Sequence, residues 1–138
     1  MFKWKEEFTC YNEDVDNQHK RLFELVTDLY DIVKLKDDYD HFDEIAAIFK
    51  ELSEYTVYHF GYEEELFDKY NYDPINKKLH KLEHKSFINK VSEIDLNEMD
   101  ENQRGISIEI VMFVAKWVED HILETDKKFG EFMKELNA

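Results

Sequence analysis

The sequence predicts an all-α protein, an up-down-up-down four-helix bundle entered through an N-terminal arm. Three features point there. The 138 residues include only three glycines and one proline, too few for the turn every ~10 residues that a sandwich or barrel needs. Four stretches repeat apolar residues at helical spacing. The connections between them are short or moderate, which makes successive helices antiparallel neighbours. Hydrophobic residues make up 43% and aromatics 15%, enough for a real core and too many for a disordered chain. Residues 1–138 are expected to form one domain.

Residues 1–11 read as the arm, with Phe2, Trp4 and Phe8 available to pack over the bundle. A first helix over about 16–35 aligns His19, Leu22, Val26, Leu29 and Val33, with Asn12, Asp14 or Asp16 as its cap. A second over about 40–70 aligns Ile45, Ile48, Phe49, Leu52, Thr56, His59, Glu63 and Leu66. Asn71 to Pro74 break it, since Asn and Asp favour turns and proline ends what precedes it. A third over about 75–91 aligns His80, His84, Phe87 and Val91. The polar stretch Asp95 to Gln103 reads as a loop. A fourth over about 104–128 aligns Ile106, Ile110, Phe113, Trp117 and His121, and Phe129 to Leu136 either continue it or form a separate turn.

Eighteen basic residues face 33 acidic ones, a net charge of −15. Such a surface repels phosphate backbones and anionic membrane faces, so neither nucleic acid nor membrane is an expected partner. The longest purely apolar run, Ile110 to Ala115, is far too short to span a bilayer. Cys10 is the single cysteine, so no intrachain disulfide forms, which suits a reducing compartment. The first residues carry no apolar secretory segment. A cytoplasmic location is expected.

The anomaly lies on the inner stripes. Five of the six histidines, His19, His59, His80, His84 and His121, fall where the core should be. His41 stands outside the pattern and reads as a surface residue. A single core histidine is ordinarily just hydrogen-bonded. Five on four converging helices are different, because helical backbone groups are already paired and cannot satisfy ten ring nitrogens. A metal satisfies one nitrogen of each ring.

Spacing sharpens this. His80 and His84 are four apart, so both rings leave one face about one turn apart. His59 and Glu63 repeat that geometry with a carboxylate. Glu64 and Glu65 rotate away from the stripe and read as solvated. Asp126 follows His121 by five residues, about 140° round a regular helix. Aiming both at one point requires a π-type bulge or a loosened helix there.

These residues resemble the hemerythrin family, the bacterial type in particular. That pattern is a histidine on the first helix, HxxxE on the second, HxxxH on the third and HxxxxD on the fourth. It is filled here by His19, by His59 with Glu63, by His80 with His84, and by His121 with Asp126. Trp4, Asp16, Gln18, Leu22, Trp117 and Ile122 add to the likeness, which spans nearly the whole chain. The resemblance implies two iron ions. His80, His84 and His121 would hold one, His19 and His59 the other, with Glu63, Asp126 and an oxo or hydroxo group bridging them. Counting those bonds leaves one position open on the two-histidine iron, where O2 would bind.

The implied function is a non-haem di-iron O2 binder serving storage, delivery, scavenging or sensing. Azide, nitric oxide or peroxide would be further small ligands. The alternative is a di-iron peroxidase or oxidase, or an enzyme acting on nitric oxide. No histidine has Glu three residues before it, against the Glu-x-x-His pattern of ferritin-like oxidases. No general acid or base beyond the ligands stands out, and no output domain accompanies the bundle in these 138 residues. Leu22, Phe60, Trp117, Val118 and Ile122 are the candidates to line a dry ligand pocket. The sequence departs from the family where Tyr72-Asp73-Pro74 interposes a residue, where Phe67 replaces a common methionine, and where Val118 replaces a larger aliphatic. The last implies a more open pocket and faster autoxidation.

Overall fold

The computed structural model describes residues 4–34, 42–93 and 104–136. A short 3-10 turn, Glu6–Phe8, precedes α1 (Glu13–Val33). Then come α2 (Phe42–Lys69), α3 (Pro74–Ser92) and α4 (Arg104–His121). A π turn, Ile122–Asp126, joins α4 to α5 (Lys127–Leu136), so the fourth helical stretch runs on past the expected end. The described residues contain no strand. α1 packs against both α2 and α4, and α2 against α3.

Local chemistry sets the ends. α1 begins three residues earlier than periodicity suggested because Asn12 is the cap: its side chain accepts from the Val15 N–H at 3.0 Å. Glu13, Asp14 and Asp16 then fill the first turn, where the helix dipole favours negative charge. Asp16 has a different task. Its carboxylate accepts from the Thr9 hydroxyl at 2.7 Å and the Cys10 N–H at 2.8 Å, tying the arm to α1. α2 ends on Asn71, which takes the left-handed conformation at φ 54°, while the Tyr72 N–H reaches back to the Phe67 carbonyl. Asp73 caps α3 through the Asn76 N–H, with Pro74 in the first turn.

Two apolar clusters fill the bundle. The larger holds Leu22, Leu25, Val26, Leu29, Leu52, Phe60, Phe87, Val114, Val118 and Ile122 among others. The smaller holds Cys10, Val15, Leu66, Phe67, Tyr72, Phe129 and Met133. Along α1, α2 and the fourth stretch, the buried polar residues fall between the two: His19 between Val15 and Leu22, Glu63 between Phe60 and Leu66, Asp126 between Ile122 and Phe129. The polar centre is therefore capped by hydrocarbon above and below.

The inner stripes of α1 to α3 are buried or partly buried throughout. The fourth is corrected. Phe113 is 41% exposed, and the buried face of α4 is Val111, Val114, Ala115 and Val118. An unbroken apolar run gives no polar residue to fix its phase, and the smaller side chains are the ones turned inward, letting α4 approach α1 closely. The side chain of Ile106, the whole of His41 and the stretch 95–103 lie outside the described residues.

Gly130 marks a second close approach. A Cβ there would stand 2.5 Å from the Cys10 carbonyl oxygen and 2.6 Å from its Cα, so the arm lies directly on α5. The neighbours are backbone and cannot swing aside. Gly130→Ala is expected to displace the arm and cost about 1–3 kcal/mol. Urea denaturation measures the loss, and a thiol reagent reports it independently, because buried Cys10 should become accessible.

Candidate metal centre

All seven sequence candidates are buried. His19 and Glu63 are 0% exposed, His59, His80, His84 and Asp126 1%, and His121 5%. They meet in two groups. His80, His84, His121 and Asp126 place ligating atoms within 4.8 Å of one another, and so do His19, His59, Glu63 and Asp126. Asp126 belongs to both.

The carboxylates divide their oxygens between the groups. Asp126 Oδ2 is 3.0 Å from His19 Nε2, while Oδ1 is 2.7 Å from His80 Nε2 and 3.0 Å from His121 Nε2. Glu63 Oε1 is 2.5 Å from His59 Nε2, and Oε2 is 3.6 Å from His80 Nε2. Two imidazole nitrogens, His19 Nε2 and His59 Nε2, stand 3.0 Å apart. Neighbouring ligands of a six-coordinate metal with bonds of about 2.1 Å are separated by about 3.0 Å. Despite these approaches, both Glu63 oxygens, Asp126 Oδ2, His84 Nε2 and His121 Nε2 are buried without a hydrogen bond of good geometry. Leaving that many polar atoms unsatisfied in a dry core is costly. The donor set fits a pair of metal ions.

Asp126 is aimed by the π turn. In a regular α-helix it would point well away from His121, and the wider turn over Ile122–Asp126 brings it under the ring. Of the two possibilities left by the spacing, the bulge is the one present.

Charges inside the centre are strongly coupled. Burial opposes ionising Glu63 and the Asp126 carboxylate adds repulsion, but His59 and His19 outweigh both and hold it at about 2. Burial would likewise raise Asp126, and His121, His19 and His80 hold it well below the usual range. Burial lowers His121, but Asp126 reverses this and carries it to about 10. Burial takes His84 down to about 3, with the charges on His80 and His121 outweighing the pull of Asp126.

The rings are also held from outside. The Gln18 carboxamide oxygen lies 2.6 Å from His59 Nδ1, Glu64 lies 3.1 Å from His84 Nδ1, and Glu83 lies 3.0 Å from His121 Nδ1. Reading Glu64 as part of a solvated run is thereby corrected: its head turns inward to His84. Glu83 and Thr125, which donates to Glu83 at 2.8 Å, carry no ligand spacing and escaped sequence reasoning, and Gln18 entered it only through the family likeness, with no role assigned. Their signal is adjacency, since Gln18 precedes His19, Glu64 follows Glu63 and Glu83 precedes His84.

Of the expected pocket residues, Leu22, Phe60, Val118 and Ile122 are buried and Trp117 is half-buried. Phe60 stacks on His84 at 3.8 Å between ring centroids, and Trp117 on His121 at 4.5 Å. Cys10 packs as expected, 1% exposed, its thiol pushed up to about 11 by burial.

Comparison with known proteins gives this arrangement its context. The model of the hemerythrin HHE cation binding domain matches residues 11–132. The chain belongs to the hemerythrin family. A bacteriohemerythrin of Clostridium acetobutylicum is 40% identical over 131 residues, covering 94% of this chain and 98% of that protein. A bacteriohemerythrin of Pseudomonas aeruginosa is 30% identical, covering 95% of this chain and 80% of that protein. A solved wild-type hemerythrin is 27% identical, with a TM-score of 0.78 over 95% of this chain and 96% of that one. As a hemerythrin, the protein is a non-haem di-iron oxygen-binding protein, and the two histidine–carboxylate groups suit that centre.

The shifts in the centre set a pH profile for the metal-free protein. Glu63 sits below its ordinary 4.5 and His84 below its ordinary 6.5. Both then contribute stability that is present above those values and lost on acidification toward about 2 and about 3. His121 sits above 6.5, so its contribution is present below 6.5 and lost as pH rises through about 10. Chelator-stripped protein should be most stable near neutrality, and His121→Gln should flatten the alkaline decline. Urea denaturation from pH 4 to pH 9 measures both.

Proposed function

We propose that His80, His84 and His121 hold one iron, that His19 and His59 hold the other, and that Glu63 and Asp126 bridge them. The observation that supports this most directly is the division of both carboxylates between two histidine groups, with buried oxygens and nitrogens otherwise unsatisfied. When bound, the iron pair supplies an open coordination position and the electrons that a small oxygen ligand draws on. We propose reversible O2 binding, for storage, delivery or scavenging, with azide, nitric oxide and peroxide as competing small ligands.

The protein's own contribution is positional. The five rings arrive on four helical stretches, so no single segment can shift without disturbing the others. Gln18, Glu64 and Glu83 accept from the far nitrogens of His59, His84 and His121, which fixes the tautomer and leaves Nε2 free to ligate. Leu22, Phe60, Trp117, Val118 and Ile122 surround the rings with hydrocarbon that keeps water and protons from the ligand.

Binding is favoured over turnover by the placement of acids and bases. Glu64 and Glu83, partly exposed carboxylates beside the rings, lie behind His84 and His121 and are occupied there. Among the described residues, no further histidine, cysteine or carboxylate joins the two ligating groups, apart from Cys10 and Asp16 behind His19. No helix among the described residues is long and apolar enough to cross a membrane, and a buried free thiol suits the reducing cytoplasm, where we place the protein.

Reduced protein mixed with O2 should develop a persistent charge-transfer band that disappears under argon and returns with O2; bleaching with release of product would favour the enzyme. His84→Ala should hold less iron per chain by metal analysis, and an unchanged ratio removes His84 from the set.

Metal removal has a structural readout too. Apart from Phe87, α3 fully buries only His80 and His84. Hydrogen exchange should therefore rise more in α3 than in α1 when iron is chelated.

A further inference from the structure

An imidazole that ligates through one nitrogen donates its other N–H outward, and the acceptor it meets tunes how basic the ligand is. Around this centre the acceptors are sorted by side. In the group of three histidines, two rings are backed by carboxylates: His84 by Glu64 at 3.1 Å and His121 by Glu83 at 3.0 Å. Glu83 is itself anchored, since the Thr125 hydroxyl lies 2.8 and 2.9 Å from its two oxygens. In the group of two histidines no carboxylate backs a ring. His59 meets the neutral carboxamide of Gln18 at 2.6 Å. No carboxylate hydrogen-bonds His19 Nδ1. Cys10 and Asp16 are its ligating-type neighbours, but Asp16 accepts from the Thr9 hydroxyl and the Cys10 N–H instead.

Burial accounts for the sorting. The side chains of Glu64 and Glu83 are 34% and 45% exposed, so each holds its charge at the rim. Gln18 is 7% exposed. A carboxylate there would be a third buried anion beside Glu63 and Asp126, and an amide keeps the hydrogen bond without that cost.

Resting on the ligand assignment proposed above, we infer that Glu64 and Glu83 are positioning residues that stabilise the ferric state of the three-histidine iron, and that Gln18 withholds this stabilisation from the two-histidine iron. A carboxylate-backed imidazole donates more strongly and favours the higher metal charge. The two irons then lose electrons unequally. The three-histidine iron gives up the first, and the iron with the open position keeps its own longer.

Spectroelectrochemistry of the iron-loaded protein resolves this, with the electrode taking the electrons and iron per chain measured on the same samples. Two one-electron steps are expected. E64Q/E83Q should raise the first potential and so narrow the gap between the steps. Gln18→Glu should lower the second and also narrow the gap, while moving the mean of the two in the opposite direction. Glu83→Asp should return the first potential toward the parent value, which a merely structural role would not require. The glutamine pair suffices if Gln18→Glu fails to fold or to load. Two irons per chain in E64Q/E83Q with both potentials at parent values overturns the inference. So does a mean that moves without narrowing the gap. A parent protein that cannot be loaded with two irons strikes instead at the ligand assignment, and a loaded parent with silent glutamine variants leaves that assignment standing.

Discussion

A pair of carboxylates and five imidazoles share one dry space, and the rest of the bundle accommodates that fact. Glu63 and Asp126 lie closer together than two buried anions tolerate unless cations stand between or beside them. Without metal, protonated histidines must serve, which is why His121 and His19 are held in their charged forms while His84, lacking a carboxylate contact at Nε2, stays neutral. With metal bound as proposed, the same carboxylates would bridge and the rings would ligate as neutral imidazoles. Apolar clusters on either side make both arrangements dry, and dryness strengthens whatever charge pairing is present.

The helices do not depend equally on this centre. α1 buries Leu22, Phe23, Leu25, Val26, Leu29 and Val33 beyond His19, a continuous hydrophobic face that would dock in any case. α3 offers two histidines and Phe87, with Ile88 and Val91 only partly buried. Its outer side is lysine-rich and exposes Ile75, Leu79 and Leu82. Packing therefore orients α1, whereas under the proposed assignment ligation would complete the seating of α3. A helix with so little apolar area is placed by the bonds its side chains make.

Much of this was legible because the ligands obey local rules. HxxxH and HxxxE lie within single helices, so a 3.6-residue period places both members on one face without knowledge of the tertiary fold. The five-residue step from His121 to Asp126 violated that period, and the violation required either a π turn or a loosened helix, of which the π turn is present. What stayed hidden was set by partners on other helices. Glu64 and Glu83 look solvent-facing from their own helices, and only the crossing of α2, α3 and the π turn reveals that they end on His84, His121 and Thr125. Phe113 misled for a related reason, since six consecutive apolar residues leave the helical phase undetermined. Gly130 gave no sign that Cys10 lies against it, because that contact joins the first residues of the chain to the last helix.

That last contact ties the arm to the metal centre. Asp16, three residues before His19, grips Thr9 and Cys10. Cys10 rests on Gly130, four residues beyond Asp126. Lys127, next to Asp126, donates to the Glu7 carbonyl at 2.6 Å. The arm thus bridges the segment carrying His19 and the segment carrying Asp126, whose Oδ2 and His19 Nε2 are 3.0 Å apart. It cannot lift away without loosening both flanks of the two-histidine group. Under the proposed assignment the open coordination position would belong to that group, and the arm would then help to keep water from the side where the ligand binds. An N-terminal segment that contributes none of the candidate ligands is in this way built into the packing around the centre.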